Sequence, residues 1–149
     1  MALEGQTRCY VDTSALIKRY VAESGSAEFD VFCTHSADEL VISPLVSTEF
    51  ESSLQRRLRM GQIAASQVRE VRERLHADIA SGGWRLQAFE AAVFGRASDL
   101  VIRLGAPLAA LDALHLASAL LCQAQSLATA DKQLATAARK AGLRVFPFQ

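Results

Sequence analysis

The sequence has no net charge, few cysteines and no long apolar run. Sixteen Lys and Arg residues balance sixteen Asp and Glu, so there is no global positive field of the kind that draws many proteins to nucleic acid. Any such contact must be local. Cys9, Cys33 and Cys122 are odd in number and widely spaced, which argues against a disulfide framework and against the close pairs of a zinc site. They read as small buried hydrophobes. No apolar stretch approaches the roughly 20 residues of a membrane-spanning helix. Met1 to Thr7 carries Glu4 and no apolar core, so it is expected to be a frayed lead-in and not a secretion signal or anchor. A cytoplasmic protein is expected. No repeat, low-complexity tract or linker interrupts the chain.

At 149 residues, half of them hydrophobic, the chain can bury about two thirds of the surface it exposes when unfolded, and residues 1–149 read as one domain. Short β-favouring runs alternate with helical periodicity throughout. Cys9, Tyr10 and Val11 form a strand that ends at Asp12, and Ala15, Leu16, Ile17, Tyr20 and Val21 then recur at helical spacing. Glu23-Ser24-Gly25-Ser26 is a break with a capping serine, followed by a short amphipathic helix through Phe29, Val31, Phe32 and Cys33. Leu40-Val41-Ile42 is a second strand, and Ser43-Pro44 opens a helix striped by Val46, Phe50 and Leu54. Residues 64–80 form a long helix with Val68, Val71, Leu75 and Ile79 inward and a charged, solvated outer face. Residues 84–86 form a short strand and 89–104 a helix, while the helix over 108–124 is apolar almost all round and is expected to lie in the core. Strands at 126–130 and 144–146 flank a last helix that Asp131 opens. This alternation predicts an α/β layered domain and not a helix bundle.

Three acids stand at junctions. Asp12 and Asp131 each follow a strand and open a helix, and Asp112 lies in the first turn of the apolar helix. Each has a plain structural explanation, because Asp accepts the free N–H groups at a helix start. Open parallel sheets, however, bind ligands just beyond the carboxyl ends of their strands. Glu49, early in the helix after the second strand, is directed to the same edge, with Glu51 two residues on as its competitor. Like charges about 4 Å apart at an effective dielectric near 20 repel by roughly 4 kcal/mol. Protonation or a cation relieves that repulsion. An oxygen-only donor set suits a hard ion such as Mg²⁺ or Mn²⁺. His115 shares a helix face with Asp112 and reads as a satisfied core histidine.

Val11-Asp12-Thr13-Ser14-Ala15-Leu16, Ser43-Pro44-Leu45-Val46-Ser47-Thr48-Glu49, Leu111-Asp112-Ala113-Leu114-His115-Leu116-Ala117 and Ala128-Thr129-Ala130-Asp131 resemble, in order and spacing, the four signature segments of PIN-domain ribonucleases and of VapC toxins in particular. The resemblance covers nearly the whole chain and implies a three-layer α/β/α fold around a mostly parallel sheet of four to five short strands. It implies an acidic quartet of Asp12, Glu49, Asp112 and Asp131 around Mg²⁺, with Mn²⁺ as a substitute. The Ser14 and Thr129 hydroxyls would support the carboxylates or bound water. The implied activity is endoribonuclease cleavage of single-stranded or looped RNA, whose phosphates some of Lys18, Arg19, Arg56, Arg57, Arg85 and Lys132 would draw. The implied partners are a VapB-like antitoxin and a second copy of the chain, for which Tyr20, Phe29 and Phe32 offer either contact surface or core.

Two other classes fit parts of the pattern. A strand-Asp followed by Thr and Ser also resembles magnesium phosphatases and receiver domains that use the Asp covalently, although those phosphatases usually carry a second Asp where this chain has Ser14. A non-catalytic nucleic-acid-binding module with the same fold is the other, and retention of all four acids argues against it.

Overall fold

The computed structural model describes residues 5–149, so Met1 to Glu4, most of the expected lead-in, lie outside the described residues. Five strands, β1 (Arg8–Val11), β2 (Glu39–Ile42), β3 (Arg85–Leu86), β4 (Ser126–Thr129) and β5 (Arg144–Pro147), form one sheet. Their spatial order is β3-β2-β1-β4-β5, and every pairing is parallel. The helices are α1 (Thr13–Leu16), α2 (Ser26–His35), α3 (Leu45–Arg59), α4 (Ala65–Ala80), α5 (Ala92–Arg103), α6 (Ala110–Leu121) and α7 (Lys132–Lys140). The chain runs outward from β1 through β2 to β3, then crosses back to β4 and β5 on the other side. The direction of winding therefore reverses between β1 and β4, and a crevice opens there at the carboxyl ends of the strands.

Strand alternation sends neighbouring side chains to opposite faces, and both faces are covered, as a parallel sheet requires. Cys9, Val11, Ile42 and Ala128 join one buried cluster with Leu16, Phe29, Phe50, Leu54 and Trp84. Tyr10, Val41 and Leu127 join the other with Val93, Ala113, Leu116 and Leu134. The layers are thus α1 to α4 on one side and α5 to α7 on the other, the α/β/α arrangement expected from the sequence. Tyr20 and Phe29 are buried and Phe32 packs against them, so these aromatics are core.

Three elements differ from expectation. The first helix gives way after Leu16 to a 3-10 turn over Ile17–Arg19. That turn carries Lys18 inward, where its ammonium donates to Glu23 at 3.0 Å and to the Ser24 carbonyl at 2.5 Å. No serine caps α2: Gly25, at φ 83°, occupies the cap position, a left-handed geometry that favours glycine. Ser26 instead closes the preceding turn, accepting from the Glu23 N–H and donating to the Val21 carbonyl. Finally, α6 is one-sided. Leu116 is fully buried, whereas Leu111 and Leu121 are 49% and 44% exposed. Composition reported how apolar this helix is but not which face the neighbouring α5 and α7 leave open.

The one-sidedness of α6 has a measurable consequence. Leu116→Ala should cost about 2–5 kcal/mol by leaving a cavity, and Leu121→Ala within about 0.5 kcal/mol, read by urea denaturation. Equal costs would contradict the burial pattern.

Candidate active site

Asp12 sits where β1 ends and α1 begins, only 3% exposed. It is both a helix cap and the centre of a hydrogen-bond cluster. Its Oδ1 accepts from the Ala15 N–H at 3.0 Å and from the Ser14 hydroxyl at 2.8 Å. Its Oδ2 accepts from the Thr129 hydroxyl at 2.7 Å. Ser14 and Thr129 in turn accept the backbone N–H groups of Ala130 and Asp131, each at 2.9 Å. The two hydroxyls thereby tie the end of β1 to the end of β4 across the crevice. Burial raises the Asp12 pKa; the His115 charge and the donated hydrogen bonds oppose that rise but do not cancel it.

Glu49 lies in the second turn of α3 and faces the same crevice. Its Oε1 accepts from the Thr13 hydroxyl at 2.9 Å and hydrogen-bonds with His115 Nε2. No described residue bonds to Oε2. Burial alone would raise the Glu49 pKa, but the His115 bond and charge and the Thr13 bond outweigh it, and the net shift is downward. Glu51 turns away and pairs with Arg72 through Nε and Nη2 at 2.9 and 2.5 Å. Between the two competing acids, it is Glu49 that enters the crevice.

Asp131 caps α7, its Oδ1 accepting from the Leu134 N–H at 2.9 Å. Asp112 does not cap α6, whose cap position is Ala109 with no side-chain bond. Instead it is half-buried and has no hydrogen-bond partner among the described residues. Its pKa is pushed up to about 6, first by burial and then by the negative charges of Asp131 and Asp12; the His115 charge opposes the rise, and Glu49 adds a smaller push. The structure thus brings all four acids into one electrostatic field.

These donors fit a hard divalent ion in kind. All are carboxylate oxygens, with Asp112 partnerless and Glu49 Oε2 open, and the excess negative charge calls for a cation. Among the described residues, no group of three or more His, Cys, Asp or Glu side chains is placed so that it could hold a metal ion as it stands. Asp12 holds its hydroxyl and amide donors instead.

Of the six cations considered for phosphate, four are already paired. Lys18 and Arg57 meet Glu23, Arg19 meets Asp30, and Arg85 meets Glu39. Arg56 and Lys132 are exposed and form no salt bridge among the described residues. Arg56 also lines a groove of about 630 Å³ that opens beside Thr13, Ser14 and Glu49.

The PIN-domain family model matches residues 9–140. The chain belongs to the PIN-domain family. Three solved structures share the fold of this PIN domain. VapC20 from Mycobacterium tuberculosis, a sarcin-ricin loop cleaving toxin, superposes with a TM-score of 0.68 at 17% identity, over 87% of this chain and 94% of that one. FitAcB from Neisseria gonorrhoeae gives 0.65 at 17%, over 93% and 96%. VapBC2 from Rickettsia felis, bound to a DNA fragment from its promoter, gives 0.66 at 13%, over 96% and 100%. No match was found among curated proteins. No helix among the described residues of this PIN domain is long and apolar enough to cross a membrane.

The sequence reading missed three side chains at this site. Thr13 bonds Glu49, while Tyr10 and Ser43 form a buried pair of hydroxyls 2.9 Å apart. Tyr10 could have been found by strand parity, since residues two apart share a face. His115 is buried with both ring nitrogens bonded, as a satisfied core histidine should be, and its partners are Tyr10 and Glu49.

The raised Asp112 pKa fixes the sign of a stability change. The folded state holds this proton up to about pH 6 while the unfolded chain releases it near 3.8, so metal-free stability should fall as pH rises through that window. Asp112→Asn should flatten the dependence and raise Tm in EDTA at pH 7 by roughly 2–4 °C, for a relief of about 1 kcal/mol after solvent screening. A drop in Tm would contradict the strained-carboxylate reading.

Proposed function

We propose that this PIN domain is a Mg²⁺-dependent endoribonuclease that hydrolyses RNA phosphodiester bonds, with Mn²⁺ able to substitute, and that it is the toxin of a VapBC-type pair. The observation that carries the reading is Asp112, a half-buried carboxyl with no hydrogen-bond partner among the described residues, whose pKa is pushed up to about 6 by burial first and then by the acids around it. Unrelieved negative charge at the carboxyl edge of a parallel sheet is the setting in which a divalent ion binds.

Asp12 and Asp112 would be the main ligands, with Glu49 and Asp131 ligating directly or through water. When bound, the ion lowers the pKa of water and offsets the charge that grows on the phosphoryl oxygens during in-line attack. Ser14 and Thr129 keep the Asp12 carboxylate in one orientation through the hydrogen bonds described above, which limits the reorganisation that catalysis would otherwise require. The groove beside Glu49 would take single-stranded or looped RNA, with Arg56 drawing a phosphate.

The likeness to VapC20 and VapBC2 supports a toxin role, and a VapB-like antitoxin is the partner that role requires. A homodimer is also proposed. In its favour, Phe94 and Val101 on α5 are 56% and 47% exposed, and their spacing of seven residues puts both on one face of that helix. The setting would be cytoplasmic. A covalent role for Asp12 is disfavoured because Ser14 stands two positions on, where the phosphatases that use such an Asp usually carry a second acid.

The test is cleavage of a defined RNA by purified protein. Asp12→Asn and Asp112→Asn should each lose on the order of 10²–10³-fold in kcat with the fold intact by circular dichroism, EDTA should abolish turnover, and Glu51→Gln should stay within about twofold of the parent. Unchanged cleavage by Asp12→Asn would overturn the assignment. Incorporation of phosphate at Asp12 from an acyl phosphate would favour the phosphotransfer alternative.

A further inference from the structure

Behind Glu49 runs a line of buried polar groups that the proposed reaction does not itself use. Tyr10 on β1, Ser43 just after β2 and His115 on α6 are all within 1% of complete burial. The Tyr10 hydroxyl donates to Ser43 Oγ at 2.9 Å and hydrogen-bonds with His115 Nδ1 at 2.7 Å. The tyrosine and histidine rings also meet edge to face, with centroids 5.8 Å apart. At the far end of the imidazole, Nε2 meets Glu49 Oε1. An ionised carboxylate only accepts hydrogen bonds, so Nε2 must carry the hydrogen.

Both protein donors to Glu49, Thr13 and His115, converge on Oε1. That leaves Oε2 with no hydrogen-bond partner among the described residues, on a side chain that lines the groove beside Thr13 and Ser14. Glutamate has three rotatable side-chain bonds, and one that is still 23% exposed would ordinarily spread over several rotamers. Here it is gripped from one side by a ring that cannot itself turn without breaking the Tyr10 bond. Burying three polar groups in a packed core is costly unless they are mutually satisfied. A phenylalanine and a leucine would fill positions 10 and 115 without any such requirement.

We propose that Tyr10 and His115 are positioning residues, a buried clamp that holds Glu49 by Oε1 so that Oε2 is presented to the cation. Ser43 anchors the clamp by bonding the Tyr10 hydroxyl. The proposal rests on the reading of this site as metal-dependent, but the clamp itself can be observed without metal.

Three measurements on parent, His115→Leu, His115→Gln and Tyr10→Phe proteins test it. Gln at 115 retains a donor near the Nε2 position, whereas Leu retains only bulk. In metal-free protein carrying ¹³C-labelled Glu, the Glu49 carboxyl resonance should move to a solvent-exposed value in His115→Leu and return toward the parent in His115→Gln. Mn²⁺ affinity by calorimetry should fall about 10–100-fold in His115→Leu, as for the loss of an outer-shell partner, with most of it restored by Gln and a smaller loss in Tyr10→Phe. In a Glu49→Ala background, His115→Leu should cause no further loss of Mn²⁺ affinity, because the clamp acts only through Glu49. An unmoved Glu49 resonance in His115→Leu, or equal Leu and Gln proteins, overturns the clamp. If the Leu protein does not fold, Tyr10→Phe decides by the same resonance. A parent that binds no Mn²⁺ overturns the metal-dependent reading instead, and the Glu49 resonance still judges the clamp.

Discussion

Burying a carboxylate costs several kcal/mol unless its charge is met by well-placed donors, and Asp12 meets that condition with three. One is the N–H at the start of α1, and the others are the hydroxyls of Ser14 and Thr129. Because Thr129 comes from β4 and Ser14 also takes the Ala130 N–H, satisfying this one charge locks the two central strands together at their carboxyl ends. The crevice between β1 and β4 is therefore shaped at its base by this buried carboxylate. Asp131 and Asp112 are brought beside it by the same strand order.

The four acids are not equally supported. Asp12 is saturated with donors, Glu49 is gripped on one oxygen, Asp131 is occupied as a cap, and Asp112 has nothing. This gradient separates stability from chemistry. The donors around Asp12 and Glu49 hold the scaffold, while Asp112 is the strained member whose charge the fold leaves uncompensated. A site that is locally unfavourable in the isolated protein and relieved by binding is the usual form of a trade between stability and activity.

Much of this was legible in the sequence because it is local. Strands β1, β2 and β4 and the helices after them follow from short β-favouring runs, helical stripes and acids at the junctions. The choice of Glu49 over Glu51 follows from helical phase, since Glu49 borders the buried stripe and Glu51 falls outside it to meet Arg72. What was not legible depends on tertiary neighbours. The cations Lys18, Arg57 and Arg85 could not be seen to be paired, because Glu23 and Glu39 reach them only after folding. The outer face of α6 looked like core because hydrophobicity alone does not say where coverage ends. His115 was correctly read as buried, but its bond to a residue 66 positions away leaves no trace in spacing.

The central claim is that the acids at the β1/β4 crevice share one hard cation. The most direct measurement is the anomalous difference density of a crystal soaked in Mn²⁺ at pH 7. The account predicts a peak bounded by the carboxylates of Asp12 and Asp112, with Glu49 Oε2 or Asp131 within direct or water-mediated reach. A well-ordered crystal with Mn²⁺ elsewhere on the surface and none between Asp12 and Asp112 would contradict it.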